Sequence, residues 1–261
     1  MRIVVKVGTS TLAHPTGRLN IRHVEELVKV LSDLKNAGHE MILVSSGAIG
    51  MGVGKLNLPG RPADMPTKQA AAAVGQCELM YTYDRLFAQY NHTVAQILLT
   101  GEDVDHEDRR HNFENIMFRL LELGALPVIN ENDTVATAEI KVGDNDTLGA
   151  IVACSVGADL LVLLSDIEGL YTADPRKDPG AKLLPVVEAV TPEIEALAGG
   201  KGSELATGGM ATKLRAAKMV TDRGCDMVIT NGEHPECLYD IVGGKAVGTR
   251  FLGKKASDGA F

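Results

Sequence analysis

Tryptophan is absent from the chain, and phenylalanine and tyrosine contribute only five residues each. So few rings argue against a surface that stacks unpaired bases. Positive charge is also scarce: 26 Lys and Arg stand against 34 Asp and Glu, a formal net charge of -8. That balance argues against a large footprint on a phosphate backbone, so nucleic acid is not an expected partner. Cysteine is limited to Cys77, Cys154, Cys225 and Cys237, widely scattered and without a Cys-x-x-Cys pair. Neither a structural zinc site nor a disulfide framework is indicated, and the four read as reduced thiols. A long hydrophobic run is missing as well. The most apolar region, 151–164, is interrupted by Ser155, Gly157 and Asp159, well short of the ~20 residues a membrane-spanning helix needs. The opening "MRIVVKVGTS" enters a strand at once and lacks a small-residue cleavage site. A cytoplasmic protein with no membrane partner is expected.

What the chain has is apolar bulk: 45% of its 261 residues are hydrophobic, enough for a large core. A single domain spanning 1–261 is expected. Six short runs, "RIVVKV" (2–7), "EMILVSS" (40–46), "TVAQILLT" (93–100), "ALPVIN" (125–130), "DLLVLLS" (159–165) and "DMVITN" (226–231), are of the kind buried on both faces of a parallel sheet. Helical patterns alternate with them. Asn20 caps a helix carrying Ile21, Val24, Leu27, Val28, Leu31 and Leu34 on one stripe, and Gly38 ends it. Further helices are expected over 68–90, 112–123, 147–156 and 212–223. The alternation implies a three-layer α/β/α sandwich around a mainly parallel sheet, with ligands at the carboxyl ends of the strands. The Gly-, Pro- and Asp-rich segments 55–66, 171–185 and 199–213 read as long loops.

Three strand-to-helix turns are prepared for anions. Lys6 ends the first strand just before Gly8, Thr9 and Ser10, where an ammonium and exposed N–H groups could hold a phosphate; the alternative is a lysine snorkelling to solvent. "VSSGAIG" places Ser45, Ser46 and Gly47 ahead of a helix, either as an anion site or as a simple cap. "TGGMATK" (207–213) is a third such turn and does not match the Walker pattern. A further stretch, Gly143-Asp144-Asn145-Asp146, puts two carboxylates and a carboxamide at the mouth of the most apolar segment. An N-cap with an acidic first turn accounts for only part of it. The seven histidines show no ligand spacing and read as surface residues.

Taken in order, "KVGTS", "VSSGAI", "KQAAAAVGQ", "VINENDTVATAEIKVGDND", "LLSDIEGLYTADPR" and "TGGMATK" resemble the amino acid kinase family, and within it the branch that phosphorylates glutamate. The resemblance implies transfer of a phosphoryl group from ATP to the γ-carboxylate of L-glutamate, releasing ADP, as the first step of proline biosynthesis. It implies Lys6 and Lys213 as the lysines that neutralise the transferring group, and Asp146 as the aspartate that holds them. Ser46, Gly47, Asn130, Asp133, Asp144 and Asn145 would surround the amino acid. Lys6, Ser165, Asp166 and the run Thr207, Gly208, Gly209, Met210, Ala211, Thr212 and Lys213 would line ATP. Mg²⁺ would arrive with ATP, without an assigned protein ligand. Relatives are commonly homodimers or homotetramers, and feedback inhibition by proline is common among them, with 56–65 a candidate loop for either property. Many also carry a C-terminal PUA domain, which is not expected in this chain. Kinases acting on aspartate or N-acetylglutamate, and a catalytically silent nucleotide-binding regulator, are the competing readings.

Overall fold

The computed structural model describes residues 1–14, 18–137, 142–198 and 209–254. In chain order its elements are β1 (Arg2–Val7), α1 (Thr9–Leu12), α2 (Ile21–Asn36), β2 (Glu40–Ser45), α3 (Ala48–Lys55), α4 (Met65–Ala88) and β3 (Val94–Leu99). There follow α5 (Gly101–Asp105), α6 (Glu107–Glu122), β4 (Leu126–Glu131), α7 (Asn145–Val156), β5 (Leu160–Ser165), β6 (Val186–Val187) and α8 (Pro192–Ala196). The last are α9 (Met210–Thr221), β7 (Asp226–Asn231), α10 (Cys237–Val242) and β8 (Thr249–Phe251).

The strands form one sheet in the order β3-β4-β2-β1-β5-β7-β8-β6. All neighbours are parallel except β7 and β8. The chain leaves β1 toward β2 on one side and later returns to β5 on the other, so the strand order reverses beside β1. In open α/β sheets that reversal opens a crevice at the carboxyl ends of the strands. Alternating residues feed two separate cores. Val4, Ile42, Ile129, Leu161 and Ile229 pack under α6, α7 and α9, whereas Ile3, Val5, Leu43, Val162 and Val228 pack under α2, α4 and α10. The expected three-layer sandwich is therefore present.

All six anticipated strands occur, with ends shifted by at most a residue. Two short ones, β6 and β8, extend the sheet beyond β7; runs of two and three residues carry too little periodicity to be read in advance. β3 is the outer strand of the sheet, and most of its residues are half-buried rather than enclosed on both faces. Helix α6 starts at Glu107, before the first apolar repeat, where Glu107 and Asp108 suit the positive end of the helix. Ile21 is 59% exposed, because it stands at the very start of α2. Helix α4 begins at Met65, capped by Asp64, so the irregular segment behind α3 is 56–64. Of the histidines, His23 is not at the surface: it lies buried in the first turn of α2.

The close approach of α3 and α4 positions part of the crevice. A Cβ at Gly75 would lie 1.7 Å from the Ala48 carbonyl oxygen, and one at Gly52 would lie 1.8 Å from that of Ala71. Only bare backbone fits at this crossing.

Candidate active site

Lys6 sits in β1 between Val5 and Val7, both in the core beneath α2 and α4, so pleating sends its side chain to the α7 face. Its stem runs below Gly149 of α7, and its ammonium reaches Asp146 at 2.6 Å from Oδ1. From α9, Lys213 donates to the other oxygen, Oδ2, at 2.8 Å, with Thr212 Oγ1 at 3.3 Å from that atom. The Lys6 contact is a charge contact lying off the line of a directional hydrogen bond. All three charged groups are buried, Asp146 to within 1% exposure. Burial alone would push the Asp146 carboxyl up, but Lys6 and Lys213 outweigh it and hold the carboxyl below its ordinary range. Its place in the first turn of α7 also suits a negative charge.

One residue earlier, Asn145 turns toward the ends of β2 and β4. Its Nδ2 lies 2.7 Å from Ser46 Oγ, 3.0 Å from the Ser45 carbonyl oxygen and 3.2 Å from Asn130 Oδ1. A backbone carbonyl only accepts, so the nitrogen of Asn145 must be the atom turned toward Ser45. The donors of that amide are thus taken up by the protein. Gly47, with φ of 99°, lets the chain turn from Ser46 directly into α3. The β2 end is held from beneath by Tyr83 of α4, whose hydroxyl is 2.8 Å from Ser45 Oγ. Complete burial raises the Tyr83 hydroxyl far above its ordinary pKa, so it stays protonated.

The remaining expected residues are placed as follows. Asp144 caps α7, accepting from the Thr147 N–H and Thr147 Oγ1 at 2.8 Å each. Asp133 lies in the turn after β4, half-buried. Ser165 ends β5 and donates to the exposed Asp166 at 3.0 Å. Gly209 caps α9, with Met210 and Ala211 in its first turn. Thr207 and Gly208 lie outside the described residues. Sequence reasoning gave no role to Tyr83, Gln76 or Glu131. Gln76 Oε1 accepts from Asn130 Nδ2 at 3.0 Å, and the buried Glu131 accepts the Val142 N–H at 2.7 Å. An apolar helix interrupted by Gln and Tyr seven residues apart was the available signal for two of them.

Among the described residues, no group of three or more His, Cys, Asp or Glu could hold a metal ion. Also among them, no helix is long and apolar enough to cross a membrane.

The site thus joins two buried ammonium groups on one carboxylate to a cluster of carboxamides and hydroxyls at the carboxyl ends of β1, β2 and β4. The profile of the amino acid kinase family matches residues 1–231, and the chain belongs to that family. It is 52% identical to a glutamate 5-kinase of Clostridium perfringens (strain 13 / Type A), over 97% of this chain and 96% of that protein. With a glutamate 5-kinase of Clostridium tetani (strain Massachusetts / E88) the identity is 56%, over 95% and 93%. Among solved structures, carbamate kinase from Giardia lamblia bound to AMP-PNP superposes with a TM-score of 0.69 at 17% identity, covering 96% of this chain and 98% of that one. UMP kinase from Bacillus anthracis gives 0.64 at 14%, covering 97% and 96%. At such identities the two structures speak for the fold.

Proposed function

We propose that the chain transfers the γ-phosphoryl group of ATP to the γ-carboxylate of L-glutamate, forming L-glutamyl 5-phosphate and ADP, the first step of proline biosynthesis. Identity above 50% to glutamate 5-kinases along nearly the whole chain supports the activity. The observation that carries the mechanism is the convergence of Lys6 and Lys213 on Asp146. In this reading a glutamate carboxylate oxygen attacks the γ-phosphorus, and the bond from that phosphorus to the ADP oxygen breaks. The nucleophile is already ionised at neutral pH, so no general base is needed. Positioning and positive charge are what the protein must supply. Lys6 and Lys213 supply charge at the phosphoryl oxygens, and Asp146 keeps both ammonium groups charged and aimed.

For the acceptor, Ser46, Gly47, Asn130, Asp133, Asp144 and Asn145 form the proposed pocket. With its donors occupied, Asn145 offers Oδ1 to the α-ammonium, where Asp133 adds negative charge; the Asp144 carboxylate serves chiefly to fix the start of α7. Ser165, Asp166 and the 207–213 turn are the proposed nucleotide contacts. A divalent metal, proposed as Mg²⁺, would neutralise the β- and γ-phosphates and be held chiefly by their oxygens and water.

We further propose a single kinase domain in the cytoplasm, assembled as a homodimer or homotetramer, with proline as a feedback inhibitor acting near 56–65. Light scattering at micromolar concentration should exceed the 27.7 kDa of one chain. The activity is tested by ADP release with Mg-ATP and L-glutamate, aspartate or N-acetylglutamate. Release should be fastest with L-glutamate; a preference for either other acid rejects the assignment.

A further inference from the structure

Helix α4 contributes more to the acceptor pocket than the packing of its apolar face. Gln76 and Asn130 are both more than nine-tenths buried, and Asn130 Nδ2 donates to Gln76 Oε1 at 3.0 Å. Asn130 Oδ1 in turn accepts the Glu131 N–H at 2.9 Å and faces Asn145 Nδ2 at 3.2 Å. The orientation of this row of carboxamides is not arbitrary. A backbone N–H only donates, so the oxygen of Asn130 must face Glu131; a backbone carbonyl only accepts, so the nitrogen of Asn145 must face Ser45. With its oxygen so committed, Asn130 must direct its nitrogen at Gln76, which has to answer with an acceptor. Gln76 completes the row. Its own Nε2 lies 3.5 Å from Gln96 Oε1 of β3.

The helix crossing explains how Gln76 reaches that position. Gly75, its neighbour, has no room for a Cβ against the Ala48 carbonyl oxygen, so α4 is seated on α3 with backbone against backbone. Without that approach, Gln76 would stand farther from Asn130.

We propose that Gln76 is a positioning residue for acceptor recognition. By accepting from Asn130 it holds Asn130 Oδ1 against Asn145 Nδ2, which together with the Ser45 and Ser46 contacts locates the Asn145 side chain and aims its Oδ1 at the acceptor. A carbonyl oxygen selects a donor, so the group it recognises is the α-ammonium. This rests on glutamate being the acceptor. Removing the Gln76 acceptor leaves a buried N–H₂ of Asn130 without a partner, and turning Asn130 to relieve it sacrifices both the Glu131 and Asn145 contacts.

The test compares L-glutamate with glutarate, the same diacid without its amine. Gln76→Met keeps length and removes the acceptor; Gln76→Glu restores an acceptor. For Gln76→Met, the L-glutamate KM should rise about 10-fold, with the ATP KM and the Ki of competing glutarate changed less than about twofold. For Gln76→Glu, the ratio of glutarate Ki to glutamate KM should return to within about threefold of the wild-type value. An equal loss for both acids would show a general packing role and overturn the proposal, as would an unchanged ratio in Gln76→Met. If Gln76→Met fails to fold, a Gln76→Glu ratio collapsed to near one overturns the proposal, and a preserved ratio supports it. A wild-type enzyme inactive on L-glutamate would overturn the acceptor assignment and this proposal together, whereas an active wild type with an unchanged ratio in Gln76→Met overturns this proposal alone.

Discussion

Lys6 and Lys213 bring their ammonium groups to opposite oxygens of a single carboxylate, one from a central strand and the other from a helix just over two hundred residues later. Neither can turn away without leaving a buried charge on Asp146 less well compensated, a loss that is costly in a dry interior. The pair is thereby fixed in advance of any ligand. Fixed charge is what accelerates phosphoryl transfer, because no reorganisation is required as charge develops.

Lys213→Met should therefore lower kcat by roughly 10²-fold or more, with a smaller effect on the glutamate KM. Steady-state kinetics with both substrates varied decides this. A variant with near-normal kcat would remove Lys213 from the chemistry.

Asn145→Ala should behave differently. In the proposed site it removes a contact to the acceptor made in ground and transition states alike, so the glutamate KM should rise about tenfold while the ATP KM stays nearly constant. A rise confined to the ATP KM would contradict the placement of Asn145.

The sheet was legible in advance because its central strands are enclosed, and enclosed strands must be apolar along most of their length. Lys6, the one charge inside such a run, was legible for the same reason: it needed an anion, and Asp146 is that anion. The two-faced role of α4 was not legible. In "AAAAVGQCELMYTYD" the seven-residue spacing of Gln76 and Tyr83 marks two polar positions on one face, but that this face turns inward depends on a helix crossing set by Gly52 on a different element. The short strands β6 and β8 escaped because they are too short for periodicity to register. His23 escaped because a polar residue in a helix's first turn is ordinarily solvated, and only the chain at Glu233, distant in sequence, covers it.

Gly75→Ala tests that crossing. The added methyl would meet backbone atoms of α3 at 1.7–2.8 Å, which no rotamer change relieves. A loss of about 2 kcal/mol or more is expected, measured by denaturant unfolding, with the glutamate KM raised because the Ser46 turn moves with α3. Unchanged stability would mean that the helices separate at little cost.

Acid should weaken the fold in two separate ranges. Burial keeps His23 below its ordinary value of 6.5, against the Glu233 carbonyl and the Glu236 and Glu233 carboxylates, with His234 acting alongside burial. Below 6.5 the unfolded chain gains a proton that folded His23 refuses, so stability falls as pH drops through that value and levels off below the folded pKa. Asp146 acts lower. Its depressed pKa gives stability that is present above 3.8 and lost as pH falls through the folded value. Between pH 7.5 and 5.5, Tm should decline less in His23→Gln than in the wild type; parallel slopes would place the acid sensitivity elsewhere.

Asn145 and Asp146 are consecutive residues on the first turn of α7, and in the proposed mechanism one serves the amino acid side and the other the phosphoryl side. Successive side chains on a helix diverge by about 100°, so a single peptide unit sets the spacing between the two halves of the reaction. On that proposal the transfer distance follows the pitch of the helix. One residue inserted between them would rotate one half away from the other.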